Sequence, residues 1–163
     1  MKELLMEDKA KTYDEVKPKF RVGDWAVNKL GHLWHIDSFD KKNYQVSNGD
    51  KYNYFPIFKQ DEMRLWSIKD AKDGDVLFVK PTENLGKQLI IFGGIDSNGR
   101  IKYYCRFLNN KFSINGGLMG YDHKYFLPAT KEQRDTLKRV MDDARYTFDF
   151  EKKELKKIEQ KSA

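Results

Sequence analysis

A short string that occurs twice is the feature that most constrains how this chain can fold. VGDWAV at residues 22–27 is matched further on by DGDVLF at residues 73–78. In each copy a glycine and an aspartate precede an apolar run. Glycine adopts backbone angles that other residues avoid, and aspartate favours turns, so each string predicts a tight turn that leads into a strand.

Two further matches accompany this pair. Ile36 and Ile95 each begin an Ile-Asp-Ser string, with a tyrosine eight residues past the isoleucine. Ser67 and Thr130 each begin a pattern that is close to the Ser/Thr-x-x-acid/amide signature of a helix start. We interpret the chain as two copies of one supersecondary unit. Gly-Asp before a strand is common, however, and two copies leave a chance match open.

Short apolar runs separated by turn residues predict a mostly β fold. Residues 20–66 contain four such runs, and Asn-Gly pairs at 48–49 and 98–99 are typical of two-residue hairpins. This pattern favours two small SH3-like β-barrels or half-barrels in tandem. After them, apolar residues at helical spacing predict an amphipathic helix, followed by an alternating run that fits a short hairpin. The helical stripe is Leu137, Val140, Met141 and Ala144.

The predicted organisation has four parts. Residues 1–19 form an N-terminal helix and linker, residues 20–69 the first β unit, residues 70–128 the second, and residues 129–163 the C-terminal helix and tail. The absence of an apolar stretch of about 20 residues and of a secretion signal predicts a cytoplasmic protein without a membrane span. The single cysteine, Cys105, lies in an alternating apolar run, which predicts a buried, reduced thiol.

The residues that most often carry catalysis or metal do not cluster. His32 and His35 are three apart on a predicted strand, so they point to opposite faces. His123 beside Asp122 is more typical of solvated surface than of an acid–base pair. The glycine-rich residues 115–120 lack the order of a phosphate-binding loop and predict a flexible hairpin loop. We therefore expect no enzyme activity, no metal and no cofactor.

Positive charge is concentrated in one part of the chain. Residues 1–99 hold 16 basic and 16 acidic side chains, whereas residues 100–130 hold five basic side chains and one acidic one. A concentrated basic strip attracts polyanions over roughly one Debye length. The five are Arg100, Lys102, Arg106, Lys111 and Lys124.

The predicted strand at residues 101–107 is the main candidate binding site. Strict alternation places Ile101, Tyr103, Cys105 and Phe107 in the core. It places Lys102, Tyr104 and Arg106 on the other face, a basic row with an aromatic ring, as in proteins that pair phosphates with cations and stack bases on rings. Arg100 and Lys111 extend this row. The alternative is that Tyr104 packs under the C-terminal helix while its basic neighbours only solvate an edge strand. Tyr52 and Tyr54 in the first copy are expected to serve core and cross-strand packing.

Four strings in this chain resemble an uncharacterised family of small proteins encoded by phages, prophages and mobile elements of gut anaerobes. They are FRVGDW at 20–25, RLWSIKDAKDGDVL at 64–77, PATKEQRD at 128–135 and KKELKKI at 152–158. The resemblance covers most of the chain from residue 20 and implies no activity and no site. Similar sequences usually have glycine where Arg145 follows the helix, a position suited to a left-handed cap.

These observations favour non-catalytic binding of nucleic acid, or of a nucleic-acid complex, through a basic face of the second unit. Affinity from phosphate contacts falls steeply with salt. The alternative is an inhibitor of a host nucleic-acid-targeting defence enzyme, of the anti-CRISPR or anti-restriction type, that acts by protein contact. Exposed aromatic residues or a flat apolar patch favour that alternative. An enzyme acting on nucleotides would need clustered carboxylates or histidines, and the sequence lacks them.

Overall fold

The computed structural model describes residues 16–159 of the 163-residue chain. Two compact units divide the chain, unit 1 at Met1–Trp66 and unit 2 at Ser67–Ala163. The N-terminal helix and linker were predicted at residues 1–19. Residues 1–15 of that segment lie outside the described part of the chain. The predicted boundaries of the two β units, after residue 69 and after residue 128, stay predictions.

Unit 1 is one antiparallel sheet of five strands. Its strands are β1 (Trp25–Asn28), β2 (Leu33–Phe39), β3 (Asn43–Asn48), β4 (Lys51–Pro56) and β5 (Met63–Leu65). The order across the sheet is β4-β3-β2-β1-β5, and a 3-10 helix at Ile57–Glu62 leads back to β5. In the β3–β4 hairpin Asn48 pairs with Lys51, so the turn residues are Gly49 and Asp50. Gly49 has φ +63° and takes the position that needs a positive angle.

One face of this sheet carries the core of unit 1. Large side chains such as Phe20, Ile36 and Tyr44 are almost fully buried there, and the Phe20 and Tyr44 rings meet edge to face at 5.5 Å. Burial of each such side chain stabilises the fold by about 1.5–3 kcal/mol. The remaining members are Ala26, Val46, Ile57 and Met63.

Unit 2 contains a second antiparallel sheet and all of the α-helix in the described residues. The sheet strands are β6 (Val76–Val79), β7 (Gln88–Ile95), β8 (Ile101–Leu108), β9 (Lys111–Ser113), β10 (Gly117–Met119) and β11 (Phe126–Pro128). Their order is β10-β8-β7-β6-β11, and β9 pairs with β8. Helix α1 (Lys131–Asp143) and the hairpin of β12 (Tyr146–Asp149) and β13 (Glu154–Lys157) follow. Two 3-10 turns complete the unit, at Ile68–Asp70 and His123–Tyr125.

Helix α1 and the β12–β13 hairpin cover one face of the second sheet. The helix begins at a capping box, in which the Thr130 side chain accepts from the Gln133 N–H and the Gln133 side chain accepts from the Thr130 N–H. Arg145 follows the helix with φ +63°, so the left-handed cap forms without glycine. The cluster beneath consists of Leu89, Ile91, Cys105, Leu137, Met141 and Phe148.

The repeated string folds twice into the same turn. Gly23 and Gly74 have φ of +97° and +98°. The Gly23 N–H donates to the Ile36 carbonyl at 2.8 Å, and the Gly74 N–H donates to the Phe92 carbonyl at 2.7 Å. The structural equivalent of Ile36 is therefore Phe92. The sequence match of Ile36 to Ile95 was wrong, because β7 runs three residues past Phe92 before its turn.

The prediction of a mostly β fold with a C-terminal helix is confirmed at that level. The prediction of a flexible loop at residues 115–120 was wrong, because Gly117–Met119 pairs with β8 as strand β10. Glycine is needed there for close approach, since a Cβ on Gly116 would lie 2.5 Å from the Tyr103 carbonyl oxygen. In the part of the chain that the structure describes, no helix is long and apolar enough to cross a membrane.

Candidate functional site

The candidate site lies on the basic strand, by which we mean β8 with the flanking cations Arg100 and Lys111. A β-bulge interrupts this strand. Ile90 of β7 pairs with Arg106 and Phe92 pairs with Tyr103, so two steps along β7 correspond to three along β8. The extra residue breaks the strict alternation that we expected. As a result Arg106 and Tyr103 lie on the same face, with the guanidinium carbon 5.8 Å from the ring centroid.

Tyr104 is half-buried and packs against the C-terminal hairpin, whereas the alternative interpretation placed it under the C-terminal helix. Its ring lies 4.9 Å from the Phe148 ring of the C-terminal hairpin, and its hydroxyl donates to Asp73 at 2.7 Å. Burial, together with the hydrogen bond and charge of Asp73, raises the pKa of Tyr104 to about 12. Next to it Cys105 is buried as predicted, and that burial raises the pKa of its thiol to about 12.

A shallow pocket of about 380 Å³ opens beside these tyrosines. Two glycines make room for the rings. A Cβ on Gly117 would lie 2.9 Å from the Tyr103 hydroxyl oxygen, and one on Gly93 would lie 3.2 Å from the Tyr104 ring. The exposed Lys102 lines the same pocket and pairs across the sheet with Leu118. The pocket therefore combines aromatic walls with a cation at its rim.

The other predicted cations are distributed along the strand. Arg100 is half-exposed and pairs with Asp96, with 3.0 Å between Nε and Oδ2. An exposed pair of this kind contributes little to stability, so Arg100 can exchange Asp96 for another anion. Lys111 is exposed on β9 opposite Leu108, which places it on the same side of the sheet as Arg106. The bulge thus presents Lys102 on one face, and Arg106 with Lys111 on the other.

The polar clusters seen in the described part of the chain do not form a nucleophile–base pair. In unit 1 the Nδ1 of His35 lies 2.6 Å from Asp37, and the Ser47 hydroxyl donates to the same carboxylate oxygen at 2.9 Å. The serine therefore contacts the carboxylate and not the imidazole, unlike an activated nucleophile. His123 bonds to the Gly99 carbonyl, at 2.8 Å from its Nε2. Among residues 16–159 no group of three or more His, Cys, Asp or Glu side chains is placed to hold a metal ion.

Unit 1 has an exposed surface that the sequence interpretation missed. Tyr52 and Tyr54 were expected to pack, but they are 78% and 65% exposed on the edge strand β4. Across the sheet Tyr52 pairs with Ser47 and Tyr54 with Gln45. The available signal was their position beside Lys51 and Asn53 in a strand with few apolar neighbours. We call this surface the tyrosine face; it consists of His35, Asp37, Gln45, Ser47, Tyr52 and Tyr54.

No protein-family model matches this chain, and no curated protein matches it.

Proposed function

We propose that this protein binds nucleic acid without catalysis, through the basic strand of unit 2. The observation that carries the proposal is the Tyr103 ring, which has Lys102 in the pocket beside it and the Arg106 guanidinium carbon 5.8 Å from its centroid. Tyr104 belonged to the predicted site, but its ring is occupied by Phe148 and Asp73. We therefore assign the stacking of a base to Tyr103 instead of Tyr104.

The chemistry of such a site is electrostatic first. Each phosphate that pairs with Lys or Arg releases counterions, so the logarithm of affinity falls by about 0.7 per contact for each tenfold rise in salt on single strands. A base stacked on a tyrosine ring adds about 1–3 kcal/mol. Arg106 already lies over Tyr103, an arrangement in which ring and guanidinium can contact one nucleotide together.

We also propose that the chain belongs with the uncharacterised family from phages and mobile elements that its sequence strings resemble. The finer fold proposal is that each unit is a small SH3-like β-barrel or half-barrel. Its support is the shared strand order, in which the last sheet strand returns to pair with the first. An experimental structure in which the outermost strands of each sheet approach one another would support the half-barrel; a flat open sheet would contradict it.

The second candidate function is inhibition of a host nucleic-acid-targeting defence enzyme by protein contact. The exposed aromatic side chains favour it, since aromatic residues are enriched in protein interfaces. They are Phe39, Tyr52, Tyr54, Phe58 and Phe150. Under this candidate, inhibition of the host enzyme survives reversal of the charges on the basic strand.

Fluorescence anisotropy with labelled single-stranded and double-stranded oligonucleotides, at low and physiological salt, tests the first proposal. We expect Lys102→Glu/Arg106→Glu to weaken binding about tenfold or more, because two phosphate contacts become repulsive. Lys138→Glu/Arg139→Glu is the matched control, since it reverses the same two kinds of charge on exposed positions of helix α1. The proposal is overturned if the wild-type chain binds neither oligonucleotide at low salt, or if both variants lose affinity equally.

A further inference from the structure

The shared turn allows one face of the unit 1 sheet to be compared residue by residue with the matching face of the unit 2 sheet. We call this the outer face of each sheet. Trp25 pairs with His35 in unit 1 as Val76 pairs with Ile91 in unit 2. In unit 2 this face is apolar and covered by helix α1 and the β12–β13 hairpin. In unit 1 the same face holds Trp25 and Val27, which are buried, and beyond them the tyrosine face.

The tyrosine face differs from a hydrophobic core surface because several of its side chains are polar. Where unit 2 has the buried Ile91, unit 1 has His35, which bonds to Asp37, and Ser47 bonds to the same carboxylate. Gln45 accepts from the Ser38 hydroxyl through its amide oxygen, which leaves its amide N–H donors for other partners. A face with this many polar groups is suited to water or to a polar partner, so the two exposed rings need a separate explanation.

We propose that the tyrosine face binds single-stranded nucleic acid by stacking bases on Tyr52 and Tyr54. This inference rests on the proposed function, because it takes nucleic acid as the partner and adds the preference for single strands. The two tyrosines are two residues apart on one strand, so their side chains point the same way about 6.6 Å apart. Sheets that bind RNA use exposed aromatic residues in this manner to hold two or three unpaired bases.

Positive charge near the tyrosine pair complements a phosphate backbone. Beyond the far end of β4 lie Lys41 and Lys42, since the Ile57 N–H donates to the Lys42 carbonyl at 2.9 Å. At the hairpin end Lys51 precedes Tyr52, so its side chain leaves the strand on the opposite face. All three lysines are exposed, and residues 16–66 hold nine basic against six acidic side chains. A strand whose bases lie on the rings therefore meets cations at the Lys41 and Lys42 end of β4.

The edge of β4 disfavours a protein strand as the occupant. An added strand needs the outward backbone N–H and C=O groups of the edge. The Tyr54 N–H donates to the Asn53 side-chain oxygen at 2.8 Å, so one of these groups is already occupied. Duplexes are disfavoured as well, because paired bases cannot turn onto the rings without being unstacked. The remaining partner is an unpaired strand.

Anisotropy with single-stranded and duplex oligonucleotides tests the inference on the full chain. We expect Tyr52→Ala/Tyr54→Ala to lose about tenfold or more in single-strand affinity, because each lost stacking contact is worth about 1–3 kcal/mol. Duplex affinity and the salt slope should stay unchanged, because no cation is removed. Tyr52→Phe/Tyr54→Phe is the matched control, and it should bind as the wild type does because the rings remain.

Three results would overturn the inference: single-strand affinity unchanged in the alanine variant, equal losses for single strands and duplexes, or an equal loss in the phenylalanine variant. If the double alanine variant melts at a lower temperature, the single variants Tyr52→Ala and Tyr54→Ala each still remove one ring. Unchanged oligonucleotide binding with lost capture of a host protein would assign the face to a protein instead. Failure of this inference is separable from failure of the proposed function, since Lys102→Glu/Arg106→Glu affects single strands and duplexes alike.

Discussion

The two units share a backbone plan and differ in how one face of the sheet is covered. Both enter the sheet by the same Gly-Asp turn, and both pair the entering strand with its successor on one side and a returning strand on the other. In unit 2 a helix and a hairpin cover the outer face, and its residues there are apolar. In unit 1 Trp25 stays buried on the corresponding face, but His35 stands where unit 2 has Ile91, and two tyrosines are exposed. The two units thus share their backbone hydrogen-bonding pattern and differ in the side chains on this face of the sheet.

The largest expected effect comes from weakening the cover of unit 2. Leu137 is almost fully buried between helix α1 and the sheet. We expect Leu137→Ala to lower the free energy of unfolding by about 2–5 kcal/mol, because it leaves a cavity. Urea unfolding followed by helical circular dichroism measures this loss, with the exposed Lys138→Ala as the control. All three tryptophans lie in unit 1, so their fluorescence shows whether the loss stays in unit 2. An unchanged midpoint would contradict the assigned packing.

The repeated turn offers a matched pair of glycines with different surroundings. Alanine at Gly23 or Gly74 is strained, since φ near +97° costs an L-residue about 1–2 kcal/mol. A Cβ at Gly23 meets nothing within 4 Å, whereas one at Gly74 lies 3.3 Å from the Lys153 Nζ and 3.4 Å from the rings of Phe148 and Phe150. We therefore expect Gly74→Ala to destabilise somewhat more than Gly23→Ala, as measured by thermal unfolding. A larger loss at Gly23 would contradict the equivalence of the two turns.

The hydrogen bond from Tyr104 to Asp73 gives a smaller effect with a pH signature. Tyr104→Phe should lower the free energy of unfolding by about 1 kcal/mol near neutral pH, the usual net value of one hydrogen bond. The folded pKa of Tyr104 is raised to about 12 from 10.0. Because the neutral form is favoured in the fold, this stability is present in full below pH 10 and is lost as the pH rises towards 12. The variant should lack that loss, and equal alkaline curves would overturn the assignment.

Much of the fold could be predicted because it depends on short local signals. The Gly-Asp turns and the capping box at Thr130 each satisfy local backbone groups, so a few adjacent residues are sufficient to indicate them. The bulge in β8 was not predictable, because nothing within residues 101–107 indicates an extra residue. It requires the pairing with β7 and the glycines that receive the two tyrosine rings. Alternation therefore assigned Tyr103 and Arg106 to opposite faces.

The exposure of Tyr52 and Tyr54 was missed for a different reason. An aromatic residue on a strand is as compatible with packing as with exposure, and the outcome depends on whether another element covers that face. In unit 2 the sequence supplies such an element after the sheet, the helix that begins after Thr130. After the sheet of unit 1 the corresponding Ser67 capping box leads only into a 3-10 turn at Ile68–Asp70. The informative signal was thus the length of the helix that comes after each copy.

Because Cys105 is buried, its alkylation can report the slow opening of unit 2. It is the single cysteine of the sequence, and its thiol lies beneath helix α1 and the C-terminal hairpin. With its pKa raised to about 12, the thiolate that alkylating reagents attack is scarce in the closed state. Labelling must therefore wait until the helix and hairpin lift away from the sheet. The alkylation rate of the unmodified protein therefore reports this opening without any introduced probe.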